Sequence, residues 1–327
     1  MLRSEFGDDP TTVSAVLAGV RVYQRAERAA PPQRETVAQN GRATLLGFGG
    51  SGRPILFVPS LINGSEILDL DADRSLLRWL AERGLNPMLL DWGAPDAEER
   101  DRDVGGHVRD LLLPLLSQLD QPPILAGYCL GGTMAIAAAS LASVAGLVTI
   151  AAPWNFAGYP ERSQADMLEL WTGAEDAVEA TGLLPIEVLQ AAFWKLDPRR
   201  TIAKFGKLAE AHDDPAAVAN FTAVEDWANG GPPLTAAAAR QLFEAMIERD
   251  EPGRGEWRIE ERLIDPTALD VPMLQVISET DRIVPAATAY DAGERLSLSL
   301  GHVGMIVGGS ARARLWEPLA AWLAAHA

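Results

Sequence analysis

Residues 121–136, QPPILAGYCLGGTMAI, constrain the fold more than any other stretch of the chain. The run Pro123-Ile124-Leu125-Ala126-Gly127 is apolar without alternation, as expected of a strand buried on both faces of a parallel sheet. A small-residue helix follows at once, and between the two lies Gly127-Tyr128-Cys129-Leu130-Gly131-Gly132. This GxCxGG pattern is the cysteine form of the GxSxG turn that presents a nucleophile. Turning a strand into a helix over so few residues crowds the backbone, and residues without a Cβ relieve that crowding. Cys129 is therefore expected to stand at the turn, beside a helix N-terminus whose partial positive charge suits an anion. The N–H of Leu130 would point where an oxyanion forms. A structural core cysteine is the plainer role for a free thiol, but it leaves the flanking glycines and the strand before them unexplained.

Cys129 is the only cysteine among 327 residues, which excludes an internal disulfide framework and fits a reducing compartment. The net charge of −17, with no dense basic run, argues against nucleic acid as a partner. The N-terminal decapeptide MLRSEFGDDP lacks the apolar core of a secretory signal, so a cytoplasmic location is expected. Residues 121–160 carry no charged side chain and resemble a membrane span in hydropathy. Glycine pairs and prolines divide that stretch into pieces of soluble length, and a central parallel sheet gives the same signal.

In chain order, residues 9–29 read as a helix opened by Asp9-Pro10, and 30–42 as a polar linker. Strands are expected at 43–48 and 54–59, joined as a hairpin by Gly49-Gly50-Ser51-Gly52. A helix at 73–83, a strand at 87–92, a helix at 104–119, the strand and helix around Cys129 and a strand at 146–152 follow. Strands alternating with helices of this length predict a doubly wound α/β sheet. After Pro153 the pattern changes to helices without strands, near 163–172, 185–194, 200–211, 215–220 and 235–249. The sheet resumes at 271–278, with a short strand at 296–300 and a closing helix at 310–325. The expected organisation is an N-terminal helix and linker (1–42), a core (43–153 and 271–327) and an inserted helical lid (154–270) over the carboxyl edge of the sheet.

Cys129, Asp281 and His302 each follow a strand, in the nucleophile, acid, histidine order of α/β hydrolases. A shared sheet edge would bring them together. His302 lies in Gly301-His302-Val303-Gly304, a loop suited to a catalytic base. His107, His212 and His326 are expected in solvent, and scattered histidines without a cysteine cluster argue against a metal site. Asp91, Asp265 and Asp270 compete with Asp281; Asp91 has the position of a loop cap, and the other two precede the last long strand. Trp154, Trp171, Trp194 and Trp227 are expected mostly in the core, with an acyl tunnel as the alternative. Arg199, Arg200, Lys204 and Lys207 are expected on a solvated helix face, with contact to phosphates as the alternative.

The segments VPSLINGSEILDL, RSLLRWLAERGL, LLDWGAPD, GYCLGGT, DRIVP and GHVGMIVG resemble, in that order, motifs of the polyhydroxyalkanoate synthases. The resemblance runs from about Pro54 to the C-terminus and is nearest to the short, partner-dependent synthases. It implies an α/β-hydrolase fold with Cys129 as acyl nucleophile, His302 as base and Asp281 as the supporting acid. The chain departs from the family in three places. Val104-Gly105-Gly106-His107 stands where members carry an acidic-acidic-tyrosine segment, the run from Pro285 to His302 is compressed, and the long N-terminal region of the larger synthases has no counterpart.

The expected activity is acyl transfer from a 3-hydroxyacyl-CoA thioester through Cys129, with polymerisation of hydroxyacyl units and release of CoA. The oxyanion would rest on the N–H of Leu130 and a second N–H at Ser60 or Leu61. No cofactor is expected beyond coenzyme A as part of the substrate. The resemblance also implies a polymer granule surface and a homodimer or a partner synthase subunit. The alternatives are a hydrolase of the same fold (esterase, thioesterase or depolymerase) and a catalytically silent granule-associated or partner-binding protein.

Overall fold

The computed structural model describes residues 9–28, 33–196 and 198–327. Residues 1–8, on which the absence of a secretory signal was read, lie outside it, as do Ala29 and residues 30–32 of the expected linker. The continuous apolar runs form strands buried on both faces. β3 (Pro54–Val58), β5 (Ile124–Tyr128) and β6 (Gly146–Ile150) are buried at every residue. With β1 (Glu35–Asn40), β2 (Ala43–Gly47), β4 (Asn86–Asp91), β7 (Met273–Ser278) and β8 (Glu294–Leu298) they make one sheet of order β1-β2-β4-β3-β5-β6-β7-β8. From β4 to β8 every neighbouring pair is parallel, whereas β1–β2 and β2–β4 are antiparallel.

The helices are α1 (Pro10–Arg25), α2 (Leu76–Ala81), α3 (104–116), α4 (Leu130–Leu141), α5 (Glu161–Thr181), α6 (Ile186–Leu196), α7 (Pro198–Glu210), α8 (Pro215–Asn229), α9 (236–248) and α10 (312–326). Alternate residues of β3 face opposite cores. Leu56 and Val58 pack with Val108 and Leu112 of α3 and Met134 of α4. Ile55 and Phe57 pack with Leu76, Leu77 and Leu80 of α2 and Leu315 and Leu319 of α10. Among the described residues, no helix is long and apolar enough to cross a membrane.

The expected hairpin across Gly49–Gly52 is wrong. β4 lies between β2 and β3, so the chain crosses over. The true hairpin is β1–β2, turning at Gly41 with φ 57° and lying partly inside the supposed linker. β1 faces solvent at most of its positions, which left little apolar pattern to reveal it. The cap is not purely helical either. Leu183–Leu184 pairs with Leu234–Thr235, and Arg258–Ile259 with Arg262–Leu263. Two-residue strands are too short to show a periodicity.

Asp9 accepts the N–H of Thr11 at 3.0 Å, and Asp214 those of Ala216 and Ala217 at 3.0 and 3.1 Å. Each sets the start of its helix, followed by a proline whose missing N–H costs nothing there. α1 docks on the cap. Tyr23 meets Phe205 of α7 and Phe221 of α8 edge-on, and its hydroxyl donates to Asp226 at 2.5 Å. Gly19 makes this approach feasible, because a Cβ there would sit 1.7 Å from the carbonyl oxygen of Phe205. Gly19→Ala is therefore expected to part α1 from α7. Hydrogen exchange should then speed up at 10–25 and 198–210 while β3, β5 and β6 keep their protection. Unchanged exchange in α1 would contradict this packing.

Candidate active site

The parallel strands deliver four segments to one edge of the sheet. β5 ends at Tyr128 and hands the chain to Cys129, β3 leads to Ser60 and Leu61, β7 to Asp281 and β8 to His302. Cys129 has φ 57° and ψ −134°, the strained turn anticipated from GxCxGG. Its three glycines are required by close contact. A Cβ on Gly127 would lie 2.4 Å from Cα of Gly132, one on Gly131 2.2 Å from the carbonyl oxygen of Val58, and one on Gly132 2.3 Å from Cβ of Ala152. The Cys129 N–H donates to the carbonyl of Ile150 at 2.9 Å, tying the turn to β6.

Nδ1 of His302 lies 2.6 Å from Oδ2 of Asp281, with both side chains buried. The other carboxylate oxygen accepts the N–H groups of Ile283 and Val284 at 2.8 and 3.0 Å, which fixes the acid. Burial alone would lower the pKa of His302. The charges of Cys129 and Asp281, with hydrogen bonds to both, outweigh it and raise the pKa to about 10. His302 thus bonds Asp281 and lines one cavity with Cys129.

Two supports of His302 escaped the sequence reading. The Tyr128 ring stacks on the imidazole at 4.9 Å, and its hydroxyl donates to the His302 carbonyl at 3.2 Å. The Ser278 hydroxyl donates to the Leu300 carbonyl at 2.5 Å and accepts the Leu300 N–H at 3.0 Å, holding the His302 loop against β7. The phenols of Tyr128 and Tyr159 are pushed well above their ordinary pKa, first by burial and then by the charges of Cys129 and Asp281.

Close contact of Gly131 with Val58 and Pro59 sets the start of α4 beside the loop that carries Ser60 and Leu61. Among the described residues, the N–H groups of Leu61 and Leu130 have no hydrogen-bond partner. Ser60 instead accepts the Ile62 N–H at 2.9 Å. Cys129, His302 and Ser60 line a cavity of about 180 Å³ whose remaining wall comes largely from α6, α7 and α8. A second cavity, of about 500 Å³, lies on the other side of Ser60 and Asn63 and reaches Arg42, Trp92 and His107. Asn63 clamps the lid to this loop, its amide donating to the carbonyls of Trp227, Ala228 and Gly230 at 3.0–3.2 Å.

The rival acids occupy other roles. Asp91 accepts the Gly93 N–H at 2.9 Å, Asp265 caps the turn at Thr267, and Asp270 is exposed. Trp194 and Trp227 line the Cys129 cavity, while Trp154 and Trp171 are core. Lys204 is not on a solvated face. It bonds both carboxylate oxygens of the buried Glu225, at 2.8 and 2.5 Å, and lines the cavity. Arg199 and Lys207 are exposed, and the side chain of Arg200 lies outside the described residues. Among the described residues, no three His, Cys, Asp or Glu side chains converge as a metal site would need.

His107 also departs from expectation, whereas His212 is exposed and His326 is half-buried against Trp322. His107 is buried, its Nδ1 2.7 Å from the Asp103 carbonyl and its Nε2 2.7 Å from Arg42. Because Arg42 can only donate, Nε2 is the acceptor and the proton sits on Nδ1. The charged residues flanking His107 in sequence suggested a wet helix, but Arg42, distant in sequence, covers it.

No family model matches the sequence. The chain is 28% identical to the poly(3-hydroxyalkanoate) polymerase subunit PhaC of Haloarcula marismortui, across 82% of its own length and 60% of that protein's. It is equally identical to those of Haloferax mediterranei, across 83% and 58%, and Synechocystis sp., across 83% and 77%. The chain thus spans about three fifths of the first two relatives. Among solved structures it superposes on the monoacylglycerol lipase of Paleococcus ferrophilus (TM-score 0.52, 14% identity, 87% of this chain and 99% of that one). It likewise superposes on the alpha/beta hydrolase GrgF of Penicillium sp. sh18 (TM-score 0.53, 18% identity, 90% and 99%). The fold is that of the α/β hydrolases, and the curated relatives agree with the family resemblance read from the motifs.

Burial of His107, with the cations Arg42 and Arg102 nearby, lowers its pKa to about 4 despite the favourable bond to Asp103. A base depressed in the folded state contributes stability that is complete above its unfolded pKa of about 6.5 and lost as pH falls through about 4. Urea unfolding should therefore show a loss of about 3 kcal/mol between these pH values that His107→Gln lacks. Parallel pH curves for the two proteins would contradict the buried neutral imidazole.

Proposed function

Since the curated relatives of this α/β-hydrolase chain are poly(3-hydroxyalkanoate) polymerase subunits, we propose that it is an acyltransferase that takes 3-hydroxyacyl groups from coenzyme A thioesters through Cys129 and joins them as a polyester. The observation that carries this reading is the His302 imidazole, held by Asp281 on one side and sharing a cavity wall with Cys129, whose charge helps to raise its pKa. In the resting pair the imidazole of His302, its pKa raised to about 10, already holds the proton, and in the first step the Cys129 sulfur attacks the thioester carbonyl as thiolate. The oxyanion rests on the N–H of Leu130 and a second N–H from Leu61 or Ser60. The C–S bond to coenzyme A then breaks, and the departing thiolate takes the proton from His302. In the second step His302 removes the proton from the 3-hydroxyl of another unit. Its oxygen attacks the Cys129 thioester, an ester forms and the Cys129 thiol is regenerated.

Cysteine suits this sequence better than serine. Exchange of one thioester for another is nearly isoenergetic, so the acyl group stays activated until the hydroxyl attacks, and conversion to an oxygen ester drives the second step. Water competes with that hydroxyl. The cap formed by α6, α7 and α8 over Cys129 limits its access. No cofactor is required beyond the coenzyme A that the substrate brings. A cytoplasmic setting, a polymer granule surface and either a second copy or a partner synthase subunit are the surroundings that fit this chemistry.

Incubation with 3-hydroxybutyryl-CoA is expected to release CoA, place a hydroxybutyryl adduct on Cys129 visible by intact-mass spectrometry, and yield polyester. Cys129→Ala should abolish the adduct, and His302→Ala should slow its formation roughly 10²–10⁴-fold. Release of CoA and free hydroxy acid with no polymer, with or without added partner subunit, would replace the transferase with a thioesterase.

A further inference from the structure

The wall of the Cys129 cavity contains a polar group that the catalytic scheme does not use. Gln190 on α6 is 8% exposed and lines the cavity with Cys129 and His302. Its Nε2 is shut away from solvent without a hydrogen-bond partner. Beside it in the same wall stand Lys204 and Glu225. Two of the three ammonium hydrogens of Lys204 go to the Glu225 carboxylate, which also accepts from Asn229 at 2.8 Å. The pair is held in place, while the Nε2 of Gln190 in the same wall is not engaged.

Leaving a buried amide unpaired destabilises a fold, and a leucine of similar size would avoid the penalty. A polar group that works against stability in a cavity is explained when a ligand completes it. An amide edge offers one donor and one acceptor, matching a hydroxyl, which both gives and takes a hydrogen bond. A saturated acyl chain offers neither. We propose that Gln190, backed by the Lys204–Glu225 pair, is a specificity-determining residue that binds the hydroxyl of the acyl group on Cys129 and so selects hydroxyacyl over plain fatty acyl substrates. This assignment rests on Cys129 being the acyl acceptor. It places selection in the cap, apart from the residues that make and break bonds.

The test compares Cys129 acylation by 3-hydroxybutyryl and butyryl groups, each offered as the CoA thioester and as the p-nitrophenyl ester, in the wild type, Gln190→Leu and Gln190→Met. The wild type should prefer the hydroxyacyl group at least 10-fold with either leaving group. Both variants should lose most of that preference through slower hydroxybutyryl transfer, with butyryl transfer unchanged and thermal stability equal or higher. An unchanged preference in a folded variant would overturn the assignment. So would an equal loss for both CoA thioesters with none for the nitrophenyl esters, since Gln190 would then be binding the coenzyme arm. If no ester labels Cys129 in the wild type, the acyl-acceptor reading itself fails, and the assignment with it.

Discussion

Cys129 sits between β5 and α4 with φ 57° and ψ −134°, a conformation that a side chain with a Cβ adopts at a cost of about 1–3 kcal/mol. The surroundings over-determine it. Its N–H is bonded to β6, α4 starts immediately after it, and the backbone of 58–59 packs onto Gly131. Relaxing the turn would break contact with two neighbouring strands at once. The position of the sulfur follows from this, as does the direction of the Leu130 N–H. The segments that follow β3, β7 and β8 can then converge on the sulfur without being close in sequence.

The cap is fastened to this edge from several directions. Asn63, itself at φ 62°, holds the end of α8 through three carbonyls, and the Trp227 indole donates back to the Gly64 carbonyl at 2.8 Å. Lys204 and Glu225 join α7 to α8, while α1 packs across both by way of Gly19, Tyr23 and Asp226. The segment that carries Ser60 and Leu61 therefore also anchors the cap. A movement of α8 would be felt at Ser60 and Leu61, so access to the cavity and the placing of the Leu61 N–H are mechanically linked.

Much of this was legible in the sequence, because the signals were local or fixed by strand order. Apolar runs marked the buried strands, glycines with no room for a Cβ marked the elbow, and the chain order of Cys129, Asp281 and His302 placed them at one sheet edge. What could not be read depended on distant partners. His107 looked solvated until Arg42 covered it, and Lys204 looked like surface charge until the buried Glu225 bonded it. Tyr128 stood next to the nucleophile in plain view, but its stacking on His302 needed β8 to be in place. β1 was missed because its exposed edge-strand residues carry little apolar pattern, and the hairpin was misplaced because glycines at 49–52 serve a crossover as well as a tight turn.

The proposed chemistry depends on the His302 imidazole lying between Asp281 and the Cys129 sulfur. An NMR titration of His302, made before and after alkylation of Cys129 with iodoacetamide, tests it most directly. The untreated protein should keep the imidazole protonated far above its ordinary value of 6.5, toward about 10, and the alkylated protein should release that proton at distinctly lower pH. A His302 that titrates near 6.5 in both samples would mean that sulfur and ring do not share a site.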